Sequence, residues 1–207
     1  MAQTEVCPLP SAHWLLKQGR VIRYALLPIA CLCLGATSSF ANPSFLTVAS
    51  TPYDRQMTPV SLVLNSSAGA LAGRTSLAKA NQWLTTLRAI PYRYSPQWKT
   101  PGQVSSDPVA DCKGKAILLY AIMRANGARH LRFVIGKRHI ADQRTHAWLE
   151  WETTKGTFLL DPTFNKSAER VSNYDPARYI PHYAYNGARK YRATDYRPAH
   201  ASIVASN

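Results

Sequence analysis

The stretch Asp111-Cys112-Lys-Gly-Lys-Ala-Ile-Leu-Leu-Tyr-Ala-Ile-Met-Arg-Ala-Asn-Gly127 decides the fold prediction for this chain of 207 residues. Asp111 is typical of a helix N-cap, and the Asn126-Gly127 pair is typical of a helix end. Between them, residues 116–123 are apolar on every side, which predicts a helix buried at the centre of the molecule. The sequence therefore places a cysteine in the first turn of a central helix.

That position favours a reactive role for Cys112. Backbone N–H groups without partners and the positive end of the helix dipole stabilise an anion at a helix start, and Lys113 and Lys115 add positive charge nearby. These effects favour the thiolate, which is the nucleophilic form of cysteine. The alternative is a cysteine that is simply buried as a small hydrophobic residue.

A predicted hairpin brings two further candidates together. Residues 145–152 and 157–161 have the pattern of two strands, joined by a turn near residues 153–156. In either of the two registers that this turn allows, His146 lies opposite or diagonal to Asp161 on one face of the hairpin. A carboxylate bonded to one imidazole nitrogen leaves the other nitrogen to face a thiol, which is the arrangement of cysteine and serine hydrolases. Each residue alone also has an ordinary structural interpretation. His146 would be a packed strand residue, and Asp161-Pro162 would simply begin a turn.

The remaining segments predict an α+β domain. Residues 75–90 have helical periodicity that ends at Pro91, and residues 91–111 are rich in proline, which predicts a loop. Residues 131–135 predict a strand. Residues 166–207, a tail of Tyr, Arg and Pro with seven basic and three acidic residues, show no strong periodicity.

The first 41 residues predict export. They combine a basic region, an apolar stretch and a small-residue exit at Ser39 and Ala41, which is typical of a cleaved signal peptide; an uncleaved membrane anchor is the alternative. Three of the four cysteines lie in this segment, so a mature chain would keep only Cys112 and would lack an internal disulfide.

Composition and charge exclude several classes of protein. The chain has no long apolar run of the kind found in polytopic membrane proteins, and no fibrous or solenoid repeat. Its net charge is +14, and +12 would remain after loss of residues 1–41. Such a charge suggests contact with anionic envelope polymers, whereas export argues against nucleic acid as a partner. The spacing of His and Cys residues matches no metal motif.

Three motifs together resemble the transglutaminase-like superfamily, and most closely its bacterial transglutaminase-like cysteine proteinases. They are Asp111-Cys112, Thr145-His146-Ala-Trp-Leu-Glu150 and Leu160-Asp161-Pro162-Thr163, in the order helix, strand, strand. Residues 81–94 and Trp98-Lys-Thr-Pro101 add to the resemblance, which covers about residues 75–165.

The resemblance implies a papain-like α+β fold, with a central nucleophile helix packed on an antiparallel β-sheet. It implies Cys112 as nucleophile, His146 as base and then acid, and Asp161 as the residue that orients the imidazole. The backbone N–H of Cys112 would be one oxyanion donor. The indole N–H of Trp98 is a second candidate, and a role of Trp98 as a core aromatic is the alternative.

Members of this family bind calcium through acidic residues that follow the cysteine. In this chain Lys113 and Gly114 occupy those positions, and calcium prefers several oxygen ligands. We therefore expect no cofactor and no calcium at this place.

The sequence thus predicts a monomeric cysteine peptidase that is located in the bacterial periplasm or secreted. It would act on peptide or isopeptide bonds of a protein substrate, and envelope and surface proteins are the candidate targets. The predicted layout is a signal peptide over residues 1–41, an irregular arm over 42–74, a catalytic core over 75–165 and a basic extension of the same domain over 166–207. Two alternatives remain at this stage. One is a non-catalytic basic module that binds envelope anions, and the other is an acyltransferase with the same three residues.

Overall fold

The computed structural model describes residues 44–69 and 74–195, which form one antiparallel sheet with helices packed on it. The predicted signal peptide lies outside the described residues. The strands are β1 (Phe45–Val48), β2 (Leu131–His139), β3 (His146–Thr153), β4 (Gly156–Leu160), β5 (Glu169–Arg170), β6 (Arg178–Asn186) and β7 (Arg189–Ala193). The helices are α1 (Ser61–Leu64), α2 (Leu77–Ala89), α3 (Pro101–Ser106) and α4 (Cys112–Ala125).

Helix α4 is the predicted central helix, and it forms the core together with one face of the sheet. Its buried residues include Ile117, Leu119 and Met123, none of which has measurable exposure. They share one apolar cluster with Phe133 of β2 and Leu149 of β3. The α+β prediction, with a central helix packed on an antiparallel sheet, is therefore confirmed.

The strands β2 and β3 lie near the middle of the sheet, whose order is β1-β7-β6-β2-β3-β4-β5. Gly136 of β2 pairs directly with His146 of β3, at the point where the pairing of β2 with β6 shifts register. A Cβ atom on Gly136 would lie 2.1 Å from the carbonyl oxygen of Ile180 and 2.7 Å from the Trp148 ring. Only glycine allows the backbones to approach so closely beneath His146.

The β3–β4 hairpin has one of the two registers that the sequence allowed. Leu149 pairs with Leu160, and Thr153 pairs with Gly156 across the turn. In this register Asp161, directly after β4, is diagonal to His146 at the start of β3.

Residues 91–111 differ from the predicted loop because they contain the short helix α3. Pro101 occupies its first turn, and Thr100 and Gln103 form a reciprocal capping box. A proline at a helix start is favourable because the missing N–H would have no intrahelical acceptor there. The prediction counted the prolines of this segment as helix breakers and did not recognise the capping box that precedes Gln103.

The two flanking segments are also more ordered than the sequence indicated. Residues 42–74 include β1 at a sheet edge and the short helix α1, and Val60 and Leu64 are buried in the core. The residues after 165 supply β6 and β7, of which β6 pairs with β2 near the middle of the sheet.

We find no helix with the length and apolar character needed to cross a bilayer within residues 44–69 and 74–195.

Candidate active site

Cys112 is the first residue of α4, and its position is fixed by the N-cap Asp111. The Asp111 side chain accepts a hydrogen bond from the backbone N–H of Gly114 at 2.9 Å and another from the N–H of Ser95 at 3.2 Å. Asp111 is buried, whereas Cys112 is partly accessible. The cap thus presents the thiol at the start of a buried helix, where the helix dipole favours negative charge.

Lys113 does not simply add a cation beside the thiol, because its ammonium group is bonded to the Asp111 carboxylate. It also donates to the backbone carbonyl of Ser95. The ion pair is largely screened from solvent, with side-chain exposures of 14% for Lys113 and 4% for Asp111. The pair therefore ties the loop before α3 to the start of α4.

His146 and Asp161 form a buried hydrogen bond, as the hairpin register predicts. The Nε2 atom of His146 lies 2.7 Å from the Oδ2 atom of Asp161. A carboxylate accepts hydrogen bonds only, so Nε2–H is the donor and Nδ1 is left for a second partner. Cys112 lines the same cleft as His146 and is close enough to act on the charge of its imidazole, so the thiol is the candidate for that second partner.

These contacts control the charge of the imidazole. Burial by itself lowers the pKa of His146, but the hydrogen bonds and charges of Asp161 and Cys112 outweigh it and raise the pKa to about 9. The imidazolium form is therefore favoured at neutral pH, where it stabilises an adjacent thiolate.

Asp161 has no solvent exposure, and every oxygen of its carboxylate accepts a bond from the protein. Its Oδ1 atom accepts from the backbone N–H groups of Thr163 at 2.8 Å and Phe164 at 3.3 Å. Its Oδ2 atom accepts from His146 and from the Tyr179 hydroxyl at 2.9 Å. The carboxylate is thus held in one orientation toward the imidazole.

Tyr179 extends this network away from His146. Its hydroxyl also lies 3.2 Å from the Oδ1 atom of Asn165, whose amide donates to the Tyr174 hydroxyl at 2.7 Å. Burial and the negative charge of Asp161 raise the pKa of Tyr179, so the hydroxyl keeps its proton and remains a donor. Tyr179 has a φ of 52°, in the left-handed region that favours glycine, so its backbone is strained to hold this position.

Tyr92 also lies near the thiol. A parallel bridge between Tyr92 and Ala110 brings it beside the start of α4, and it lines the same cleft as Cys112. Burial, followed by the charges of Cys112 and Asp111, raises the pKa of Tyr92 to about 12. The phenol of Tyr92 therefore stays neutral, and its O–H remains a hydrogen-bond donor near the thiol.

Cys112 and His146 open onto a common cleft of about 500 Å³. Trp98 and Ile135 form part of its wall, and its rim carries Tyr92, Tyr94 and Phe164, three aromatic residues that are 46–55% exposed. A cleft of this size admits a short stretch of extended peptide beside the thiol.

Trp98 faces both the cleft and the core. It lines the cavity with Cys112, and its ring centroid lies 5.8 Å from that of Phe133. Its overall exposure is 9%. This position suits an oxyanion donor and a core aromatic equally, so the role suggested by the sequence stays a prediction.

Several residues of the site were not predicted from the sequence, and most of them carry no local signal. Tyr179 belongs to the segment that we expected to be a tail without strong periodicity, Asn165 is the last residue of the predicted core, and Tyr92 lies in the expected loop. Only a correct placement of β6 in the middle of the sheet would have brought Tyr179 to Asp161.

No family model matches the sequence, and no curated protein matches it. The fold is similar to solved structures of LapG from Legionella pneumophila. An EGTA-treated form aligns with a TM-score of 0.51 and 17% identity, over 70% of this chain and 79% of that one. A calcium-bound form aligns with a TM-score of 0.50 and 16% identity, over 75% of this chain and 87% of that one. The chain therefore has the papain-like, transglutaminase-like fold of LapG.

These structures correct the expectation that calcium has no place here. We inferred that no cofactor is used because Lys113 and Gly114 replace the acidic residues expected after the cysteine. LapG, which has this fold, has been solved in calcium-bound and EGTA-treated forms, so the fold itself is compatible with calcium. Two substituted positions were too narrow a basis for the prediction, because calcium is also bound by backbone carbonyls and water.

The side chains described here do not themselves form a ligand set for the ion. Across residues 44–69 and 74–195, no group of three or more His, Cys, Asp or Glu side chains comes together in a way that would hold a metal. The Asp111 carboxylate is bonded to the Lys113 ammonium group. We therefore assign no chemical step to calcium.

Proposed function

We propose that this protein is a cysteine peptidase in which Cys112, His146 and Asp161 hydrolyse an amide bond through a thioester intermediate. The observation that carries the proposal is the buried bond of 2.7 Å between His146 and Asp161, next to the accessible thiol of Cys112 in an open cleft. The structural similarity to LapG supports a protease-like function in general.

The first half of the reaction forms the acyl-enzyme. The thiolate sulfur of Cys112 attacks the carbonyl carbon, and negative charge develops on the carbonyl oxygen. The backbone N–H of Cys112 lies in the first helical turn, where no intrahelical acceptor exists, and in this mechanism it stabilises that oxygen. The imidazolium of His146 then gives its Nδ1 proton to the leaving nitrogen, the C–N bond breaks, and the amine product departs.

The second half returns the enzyme to its starting state. Neutral His146 takes a proton from water, and the resulting hydroxide attacks the thioester carbon. The C–S bond breaks, a carboxylic acid product forms, and the thiolate–imidazolium pair is restored. Asp161 stabilises the imidazolium in both halves and keeps Nε2 protonated, so that Nδ1 always faces the thiol.

Thiol reactivity tests the pair directly. We expect the rate of Cys112 alkylation by iodoacetamide to stay high at pH values well below 8.5, the value for free cysteine, in the purified protein. His146→Ala should move the reaction to alkaline pH. His139→Ala is the matched control, because His139 is partly exposed on the neighbouring strand end. A thiol that reacts only at alkaline pH, with no effect of His146→Ala, would contradict the proposal and leave a basic binding module as the better account.

Peptidase activity is tested on a mixture of unfolded proteins. Mass spectrometry of newly formed N-termini should show cleavage by the wild type and none by Cys112→Ala. Addition of a primary amine distinguishes hydrolysis from acyl transfer, because a transferase would attach the amine to the acyl product. Both assays are run with added calcium and with EGTA, since the fold has been solved in both conditions.

Export belongs to the proposal as well. We propose that residues 1–41 direct the chain to the periplasm or beyond and are removed after Ala41. N-terminal sequencing of the protein recovered from the periplasmic fraction tests this, and a mature chain that starts at Met1 would contradict it.

A further inference from the structure

Two arginines that line the cleft have no acidic partner among the residues that the structure describes. Arg138 and Arg144 both line the cavity that contains Cys112 and His146. Among residues 44–69 and 74–195, neither guanidinium group forms a salt bridge or a hydrogen bond with a carboxylate. Guanidinium groups in a concave site are usually matched with carboxylates or phosphates, because the five donors of arginine fit those anions.

Aromatic rings hold both guanidinium groups in place. The Cζ atom of Arg138 lies 4.0 Å from the ring centroid of Phe164, and that of Arg144 lies 5.0 Å from the ring centroid of Tyr94. A guanidinium stacked on a ring keeps its N–H edges available to a ligand. The stacking therefore orients the two side chains without using their donors.

The two stacks flank the reacting groups. The Phe164 ring centroid lies 5.3 Å from that of His146, so Arg138 is on the imidazole side of the cleft. The Tyr94 ring centroid lies 5.1 Å from the Nζ atom of Lys113, the residue after Cys112, so Arg144 is on the thiol side. A peptide whose scissile carbonyl lies at Cys112 and whose leaving nitrogen lies at His146 thus meets one arginine on each side of that bond.

Lys113 and Asp142, which also line the cleft, are bonded to groups other than the two arginines. Lys113 is paired with Asp111. The carboxylate of Asp142 accepts from the backbone N–H of His139 at 2.9 Å, and its second oxygen lies 3.8 Å from the ring of the same residue. With Lys113 paired to Asp111, the lining holds two guanidinium groups against the one carboxylate of Asp142, so the cleft keeps a net positive charge.

We propose that the substrate is an acidic peptide segment, whose Asp or Glu side chains bind Arg138 and Arg144 on the two sides of the scissile bond. This inference rests on the proposed peptidase function. The exposed rings of Tyr94 and Phe164 add apolar surface for the stems of those side chains. A peptide fits better than a long anionic polymer, because both arginines line the same cleft of about 500 Å³ as the thiol.

The first experiment measures the charge at the thiol without any cleavage. The rates of Cys112 alkylation by iodoacetate, an anion, and by neutral iodoacetamide are compared at one pH. We expect the ratio of the two rates to fall about three- to tenfold in the double variant Arg138→Gln, Arg144→Gln, and the wild-type ratio to fall as salt is added. Arg189→Gln, which removes an exposed arginine of β7 outside the cleft, should leave the ratio unchanged.

The second experiment measures substrate choice. Cleavage sites in a mixture of unfolded proteins are mapped for the wild type, the double variant and Arg189→Gln. We expect Asp and Glu to be enriched within about three residues on either side of the bonds that the wild type and Arg189→Gln cleave. The bonds that the double variant cleaves should show no such enrichment. On a short acidic peptide the double variant should lose about tenfold or more in kcat/KM, mainly through KM, while a neutral peptide of equal length is cut equally by both.

The outcomes separate this inference from the proposed function. Cleavage without acidic enrichment, or with enrichment that survives in the double variant, would overturn the substrate assignment while the peptidase stands. If His146→Ala does not change the alkylation rate of Cys112 and the wild type cleaves no protein, the peptidase proposal is overturned, and the substrate assignment with it. If dextran sulfate protects Cys112 from alkylation as well as polyglutamate does, and polyglutamate is not cut, the cleft binds anionic polymers in general and the acidic-peptide assignment is wrong.

Discussion

The Nε2 atom of His146 lies 2.7 Å from the Oδ2 atom of Asp161, and the carboxylate is entirely shielded from water. Because two backbone N–H groups and the Tyr179 hydroxyl hold the same carboxylate, its orientation does not depend on the imidazole. The histidine is thus oriented by a group that is itself fixed, and Nδ1 is the nitrogen that remains for Cys112.

Asp161→Asn tests whether the direction of this bond matters. The asparagine carbonyl can still accept from Thr163 and Phe164, while its amide faces His146 and turns Nε2 into an acceptor. The proton then resides on Nδ1, which is the wrong tautomer to receive a proton from the thiol. We expect kcat to fall about 100-fold or more with the fold retained. An unchanged kcat, with circular dichroism spectra that match the wild type, would contradict the proposed role of Asp161.

The pH dependence of His146 gives a second prediction. Its pKa of about 9 in the folded chain lies above its ordinary value of 6.5, so protonated His146 stabilises the fold. This stabilisation is complete below about pH 6.5 and is lost as the pH rises through about 9. Urea unfolding should therefore show the wild type losing about 3 kcal/mol relative to His146→Gln between these limits.

NMR titration of the His146 ring gives the same quantity directly. We expect a midpoint near pH 9 in the wild type and a lower midpoint in Cys112→Ala, because one of the two groups that raise the pKa is removed. A midpoint near 6.5 in the wild type would show that the imidazole lacks both partners.

The sequence was sufficient to predict the central helix and the pairing within the hairpin. The helix from Cys112 has an N-cap, an apolar body and a glycine exit, and these are local signals. His146 and Asp161 are only 15 residues apart, and a tight turn fixes their register. Local chemistry therefore determines this part of the candidate site.

The strand β6 was not predictable in the same way. Its sequence, Arg178-Tyr-Ile-Pro-His-Tyr-Ala-Tyr-Asn186, lacks clean alternation and contains Pro181, which normally argues against an interior strand. Pro181 is tolerated because it pairs with Gly136 where the β2–β6 ladder shifts register. This compensation depends on two residues 45 positions apart, so it is visible only in the folded chain.

Tyr179→Phe tests the outermost part of the network around the carboxylate. It removes the hydroxyl that donates to Asp161 and leaves the ring packed at 5.4 Å from Trp148. With one donor fewer, Asp161 attracts the imidazolium proton more strongly, so the pKa of His146 should rise further while kcat falls about three- to tenfold. A purely structural role would lower stability and leave the His146 titration unchanged, which distinguishes the two roles.

Gly136→Ala tests the backbone support of His146. The added Cβ would meet the Ile180 carbonyl oxygen at 2.1 Å and the Trp148 ring at 2.7 Å, and Trp148 stacks on His146 with ring centroids 6.2 Å apart. The Ile180 backbone and the Trp148 ring cannot both move away in a packed sheet without a loss of packing energy. We therefore expect a loss of about 1–3 kcal/mol in unfolding free energy and a lower rate of Cys112 alkylation at neutral pH.

Gly102→Ala is the matched control, because nothing lies within 4 Å of its Cβ position in helix α3. That change should stabilise the protein slightly, by about 0.5–1 kcal/mol, and leave alkylation unchanged. Equal effects of the two substitutions on stability and alkylation would show that close strand packing under His146 does not position the imidazole.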